Sequence, residues 1–204
     1  MIRKAVVLAG TIFFFLGLAV FGQESRQEVS VQGTGFFTSS ASGNGTSYDA
    51  TQTGGFLGTY RYHLNHWISA EAAYGYNANT QKYLYLSSSL FRIQSGIHQF
   101  TGSFVVNLPS SPRSRFNPYF LAGGGALLFE PTSDQFNSLS GAQSQSRGAF
   151  IYGAGLNYAL HRGISLRAEY RGLLYKTPDF GFGALATNAV THTAIPSAGL
   201  SFRF

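Results

Sequence analysis

Hydrophobic and polar residues alternate along most of this chain. In "WISAEAAYGYN" (67–77), Ile68, Ala70, Ala72, Tyr74 and Tyr76 share one face, and Ser69, Glu71, Ala73, Gly75 and Asn77 share the other. In "ISLRAEYRGLLYK" (164–176), Ile164, Leu166, Ala168 and Tyr170 oppose Ser165, Arg167, Glu169 and Arg171. Phe56, Tyr60 and Tyr62 oppose Arg61 and His63, and Leu200, Phe202 and Phe204 oppose Ser201 and Arg203. A period of two is the signature of a strand with two unlike faces. Eight such segments follow one another: Glu28–Ser39, Thr53–Leu64, Trp67–Asn77, Leu90–Leu108, Pro118–Glu130, Gly148–Leu160, Ile164–Lys176 and Thr191–Phe204. No stretch between them keeps a helical period.

Most of these segments run 11–13 residues. A strand in a soluble protein averages about 5–6 residues, whereas one tilted across a bilayer needs about 9–11. The connections alternate in size. Long polar stretches follow the first, third, fifth and seventh segments ("ASGNGTSYDA", "ANTQKYLYLSSS", "PTSDQFNSLSGAQSQSR", "TPDFGFGALATNAV"), and "NH" and "HRG" follow the second and sixth. "PSSPRSRFN", after the fourth, is intermediate. Short turns at one end and long loops at the other are the habit of outer-membrane barrels. The expected fold is therefore all-β: an eight-stranded antiparallel up-and-down transmembrane β-barrel, closed because an open edge would leave backbone groups unpaired in hydrocarbon. The aromatic face meets lipid. Tyr60, Tyr62 and Trp67 form one interfacial girdle, and Tyr74, Tyr76, Tyr83 and Tyr85 the other. The opposite face fills the lumen, where Arg61, Glu71, Arg167, Glu169 and Arg171 neutralise one another, since an isolated buried charge is very costly. Arg203 shares that inward parity. The same alternation also suits a soluble antiparallel sheet with one wet face or a secreted barrel with an apolar interior; strand length, loop sorting and aromatic placement favour the membrane. Two residues strain the pattern. Arg92 has the parity of lipid-facing His98 and Phe100, which requires a bulge or a place above the bilayer. Pro196 lies inside the eighth segment and removes a ladder bond, which requires a bulge or a rim position.

Composition agrees. Only 11% of residues are charged and 16% are aromatic, against roughly 25% charged in an ordinary soluble protein. There is no cysteine, which excludes disulfides, thiolate metal sites and an acylated N-terminal cysteine. Residues 1–22 read as a cleavable signal peptide: Arg3 and Lys4, then the uncharged "AVVLAGTIFFFLGLAV", then small residues Val20 and Gly22 before Gln23. The apolar run is slightly long, so an uncleaved anchor is the competing reading. The barrel domain then spans 23–204. Loss of Arg3 and Lys4 lowers the formal charge from +6 to +4. The remaining basic residues are scattered, which gives no sign of nucleic-acid binding.

"GGFLGTYRYHLNHWISAEAAYGY", "NPYFLAGGGALLF", "ISLRAEYRGLLY" and the terminal "AGLSFRF" together resemble the small eight-stranded outer-membrane β-barrel proteins of Gram-negative bacteria, the OmpA-like and OmpX-like barrel domains. The resemblance covers the mature chain and implies the bacterial outer membrane, with outer-membrane lipid and lipopolysaccharide as neighbours and a monomeric state. It also implies a last strand read by the barrel-assembly machinery during biogenesis, matched here by Leu200, Phe202 and Phe204. The peptidoglycan-binding domain that follows some family barrels has no counterpart in this sequence, so cell-wall anchoring is not implied.

Chemistry is sparse. None of His63, His66, His98, His161 and His192 shows a spacing that ties it to a nearby serine and carboxylate. They read as interfacial polar side chains. Glu71 and Glu169 read as partners of luminal arginines rather than an acid–base pair. Gly123–Gly125 lacks the Lys-Ser/Thr of a phosphate loop and reads as a site of close packing. No catalytic, metal or cofactor residue is assigned. The expected function is non-enzymatic: a structural scaffold, or a surface-interaction protein acting through long extracellular loops. The alternatives are a lipid A-modifying enzyme of deacylase or acyltransferase type, and a small pore.

Overall fold

In a computed structural model, the structure describes residues 26–85, 89–109, 111, 114–132 and 141–204. The expected signal peptide at 1–22 lies outside the described residues. Ten strands follow in order: β1 Gln27–Thr38, β2 Ala41–Gly43, β3 Thr46–Ala50, β4 Thr53–His63, β5 Ile68–Tyr85, β6 Ser89–Asn107, β7 Phe116–Pro131, β8 Gln145–His161, β9 Ile164–Lys176 and β10 Val190–Arg203. Eight of them, β1 and β4 to β10, pair each with its neighbour, and β1 pairs with β10, so the antiparallel sheet closes into a barrel. The seam is tied at its last residue: Gln27 and Phe204 exchange backbone bonds at 3.1 and 2.9 Å.

Each β-segment read from the sequence is a strand, but the third was cut short. "QKYLYL" was expected in a loop. Instead β5 continues to Tyr85 and pairs with β6 without a slip from Ile68↔Val106 to Tyr85↔Ser89. The first long loop also carries strands: β2 and β3 form a hairpin, and β3 pairs Thr46–Ala50 with Gln81–Tyr85 after β5 has left β4. Beyond the barrel proper, β2, β3, β5 and β6 thus build a sheet on the long-loop side. Alternation persists there because one face of that sheet still covers something apolar.

The register answers both misfits. Arg92 sits opposite Lys82 in an unbroken ladder and is exposed. No bulge resets it; it stands outward above the aromatic belt. Pro196 is exposed in mid-strand, opposite Tyr170 on β9. On the β1 side the pairs run Thr34↔Ser197 and then Phe37↔Ala194, so the register is kept while the pairing lapses across Pro196. The missing N–H is absorbed by a gap in the ladder, with neither a bulge nor a rim position. The irregular register lies elsewhere, between Ala159 and His161 beside the β8–β9 turn.

Outward residues form the expected apolar belt. Tyr60, Tyr62, Trp67, Phe104, Phe120 and Phe150 are exposed, and Phe56, Tyr74, Tyr76, His98 and Phe100 touch ring to ring. Tyr83 does not join the upper girdle. It is fully buried, with its hydroxyl donating to the Pro178 carbonyl at 2.7 Å. Its odd number gives it the inward parity of Glu71.

Candidate functional site

The lumen is divided by height. Toward the short-turn end, alternation places Glu28 and Ser30 of β1, Thr59 and Arg61 of β4, Glu71 of β5, Tyr119 of β7, and Arg167, Glu169 and Arg171 of β9 inward and buried. Three glutamates face three arginines, so the layer is neutral. Arg61 donates to Glu71 Oε2 through Nε at 2.9 Å and Nη2 at 2.7 Å. Arg171 Nη2 donates to Glu71 Oε1 at 2.7 Å, and its Nε pairs with Glu169. Arg167 pairs with Glu28, and its Nε donates to Asn157 Oδ1 at 2.8 Å. All five charged residues singled out in the sequence meet in this layer.

Two further members escaped the sequence reading. Glu28 lies directly opposite Arg61 in the β1–β4 register, and its parity in "EVSVQ" was the available signal. Tyr119 offered no such signal, because aromatics were assigned to lipid. Its hydroxyl donates to Glu169 Oε2 at 2.5 Å, and the Arg61 guanidinium lies 4.3 Å from its ring centre. Gly155 makes room for it: a Cβ there would run into the Tyr119 ring. The glycines at 123 and 125 likewise lie against the β6 backbone, where a Cβ would meet Gly102, Ser103, Phe100 and Thr101.

Above the charged layer the lumen changes character. The sequence reading expected a polar filling throughout. Instead Ile97, Leu127, Phe129, Ile151, Leu173 and Tyr175 pack together, and Phe180 and Leu185 enter from the β9–β10 loop. The reason is height. The inward side of the upper strands does not face open water, because the 177–189 loop folds over it. Phe180 is fully buried at φ 52°, between Tyr83 and Phe129. The clasp that holds it is Asp179. Gln145 Nε2 donates to Oδ1 at 2.8 Å, Arg147 Nη2 to Oδ2 at 2.9 Å, and the Gly181 amide to Oδ1 at 3.1 Å. Burial works to raise the Asp179 pKa, but the bonds from Gln145 and Gly181 and the Arg147 charge outweigh it and hold the carboxyl below its ordinary range.

At the short-turn mouth a cavity of about 500 Å³ is lined by Glu28, His63, His66, Asn107, His161 and Arg203 among others. Arg203 therefore looks into the mouth. His63 accepts or donates at both nitrogens, to Ser69 Oγ at 2.9 Å through Nδ1 and to Glu28 Oε2 at 3.3 Å through Nε2. Sequence spacing had shown no such Ser–His–carboxylate grouping, because it joins three strands. It is a poor nucleophilic site. Ser69 is fully buried and is also held by Asn107 Nδ2 at 3.2 Å, while Glu28 is already bound by Arg167. Among the described residues, no group of His, Asp and Glu has the geometry to hold a metal ion.

A closed eight-strand barrel with a lipid-facing aromatic belt and a neutral luminal ion layer defines a narrow class. The family model described as "Outer membrane protein beta-barrel domain" matches residues 7–204. The chain belongs to this family. Among solved structures it is similar to the outer membrane protein OprG of Pseudomonas aeruginosa, at 16% identity and a TM-score of 0.61 over 90% of this chain and 98% of that one. It is similar to Neisserial surface protein A, at 18% and 0.54 over 88% and 98%. It is also similar to the outer membrane protein AlkL, at 19% and 0.52 over 91% and 93%. At these identities the likeness establishes the fold. No curated protein sequence matches the chain. The family places this barrel in the outer membrane, and the sorting of short turns from long loops puts the start of β1 on the periplasmic side and the outer ends of β5 and β6 outside.

Proposed function

We propose that this barrel is a non-enzymatic, monomeric surface protein whose extracellular sheet is its working part. The observation that carries this reading is the order of that sheet. β2, β3 and the outer halves of β5 and β6 pair continuously, and their inner face buries Tyr48, Tyr83 and Ile93 against Phe180 and Leu185. A recognition surface held this way needs little ordering on binding. Beneath it, the ion layer and the apolar plug fill the lumen, which argues for a scaffold over a solute pore. Lys82 and Arg92 stand side by side on the outward face above the aromatic belt, a placement that suits the phosphates of lipopolysaccharide.

The test replaces residues 41–50 with a Gly-Ser linker in cells displaying the barrel and compares attachment to host-cell or matrix-coated surfaces. Attachment above barrel-free cells, lost with the linker, is the expected result; no attachment by the intact chain defeats the surface-interaction reading. Lipid A mass spectra with and without expression are expected to show the same acyl-chain number. A change in that number would make the protein an enzyme.

A further inference from the structure

One wall of the lumen carries more hydrogen-bonding groups than the protein satisfies. Asn77 Nδ2, Asn79 Nδ2, Gln81 Oε1, Gln99 Nε2 and Thr101 Oγ1, all on the inward face of β5 and β6, have no protein partner. Their residues are at least nine-tenths buried, from 0% exposed at Gln81 to 8% at Thr101. An unsatisfied buried polar atom costs about 1–3 kcal/mol, so five on one wall demand a partner. In protein interiors that partner is ordered water.

Their arrangement is continuous. Rising from Glu71↔Ser103, successive inward rungs are Ala73↔Thr101, Gly75↔Gln99, Asn77↔Ile97, Asn79↔Ser95 and Gln81↔Ile93. Every rung offers at least one polar side chain. Rungs on one face of a strand are about 7 Å apart, a gap that two hydrogen-bonded water molecules bridge. Gln81 Nε2 already donates to Asn79 Oδ1 and Ser95 Oγ, both at 3.0 Å, which holds the upper amides in place. The next strands round the barrel, β7, β8 and β9, turn Leu127, Phe129, Ile151 and Leu173 inward, and this apolar lining keeps water to the amide side. Below, the charged layer adjoins the mouth cavity through Glu28. Above, the row ends under Phe180 and the Asp179–Arg147 clasp, where Arg147 Nε also lacks a partner.

We propose that the lumen holds a file of water along the β5–β6 wall, fed from the periplasmic mouth, and that the Asp179–Arg147 clasp with Phe180 is its outer seal. The permeant is water and not an ion. The three arginines and three glutamates are bonded to one another, and a passing ion would have to break those pairs. This goes beyond a scaffold role, because release of the clasp turns a filled barrel into a water path.

The test is stopped-flow osmotic shrinkage of vesicles carrying the mature chain. The wild type is expected to shrink at the rate of protein-free vesicles, Asp179→Ala faster, and Asp179→Ala combined with Asn79→Leu and Gln99→Leu at the protein-free rate again. Heat-modifiable migration checks that each variant is folded. Asp179→Ala at the protein-free rate, or a triple variant as fast as Asp179→Ala, overturns the proposal, as does a wild type that is already fast. Water-edited solid-state NMR on the wild type supplies a readout free of mutation. Transfer from water to the side-chain amides of Asn77, Asn79 and Gln99 is expected, and its absence sinks the water file.

Discussion

Glu71 is held by two arginines on different strands, at 2.7 Å to each. Removing one member of a buried ion pair leaves its partners uncompensated, at a cost of about 3–5 kcal/mol. Glu71→Ala is therefore expected to lower unfolding stability in detergent by roughly that amount; an unchanged urea midpoint would place Glu71 outside the network. Tyr119→Phe removes a single donor to Glu169 and is expected to cost less, about 1.5–3 kcal/mol, by the same measurement. Asp179 behaves differently, because it sits in the outer loop and titrates. Its folded pKa is depressed, so its contribution is present above the unfolded value near 4 and is lost as pH falls through the lower folded value. The protection factor of the Gly181 amide, its exchange rate set against the intrinsic rate at each pH, is expected to fall as pH drops through that range, and to show no such fall in Asp179→Asn. The five luminal charges were legible because each falls on the strand face opposite that strand's apolar and aromatic residues, as Arg61 does between Tyr60 and Tyr62 and Glu71 between Ala70 and Ala72. Tyr119 was not, because alternation says which face a residue takes and not whether that face is lipid or lumen at its height.

At the level of elements, the closing strand matters most. Phe204 exchanges two backbone bonds with Gln27, and Leu200 and Phe202 are exposed on the lipid side. On the resemblance to small outer-membrane barrels, we propose these three as the residues read at assembly. Deleting Phe204 is expected to reduce the heat-modifiable, membrane-inserted fraction in cells while refolding into detergent proceeds. Equal insertion in cells would remove Phe204 from that role. The eight barrel strands could be read from period-two runs and loop sorting because the bilayer imposes both. The outer part of β5 and the β2–β3 hairpin could not. Their polar, turn-like composition is that of a loop, and only pairing with β3 and cover by the 177–189 segment make them strands.

For the molecule as a whole, a neutral ion layer and an apolar plug in series leave no wide aqueous route. Planar-bilayer recordings of the wild type are expected to show no ion conductance, and steady single-channel steps would contradict the filled lumen. The sequence by itself determined the number of barrel strands, their closure and five of the six charges of the luminal layer. A bilayer reads side chains one face at a time, and that information is local. Tertiary structure alone decided that the charges meet as three arginines with three glutamates, that Glu28 and Tyr119 complete them, and that a loop seals the barrel. It also placed a row of amides on β5 and β6 beside apolar residues of the next strands. Those outcomes depend on the stagger between strands and on where a distant loop folds back, which no single strand's pattern contains.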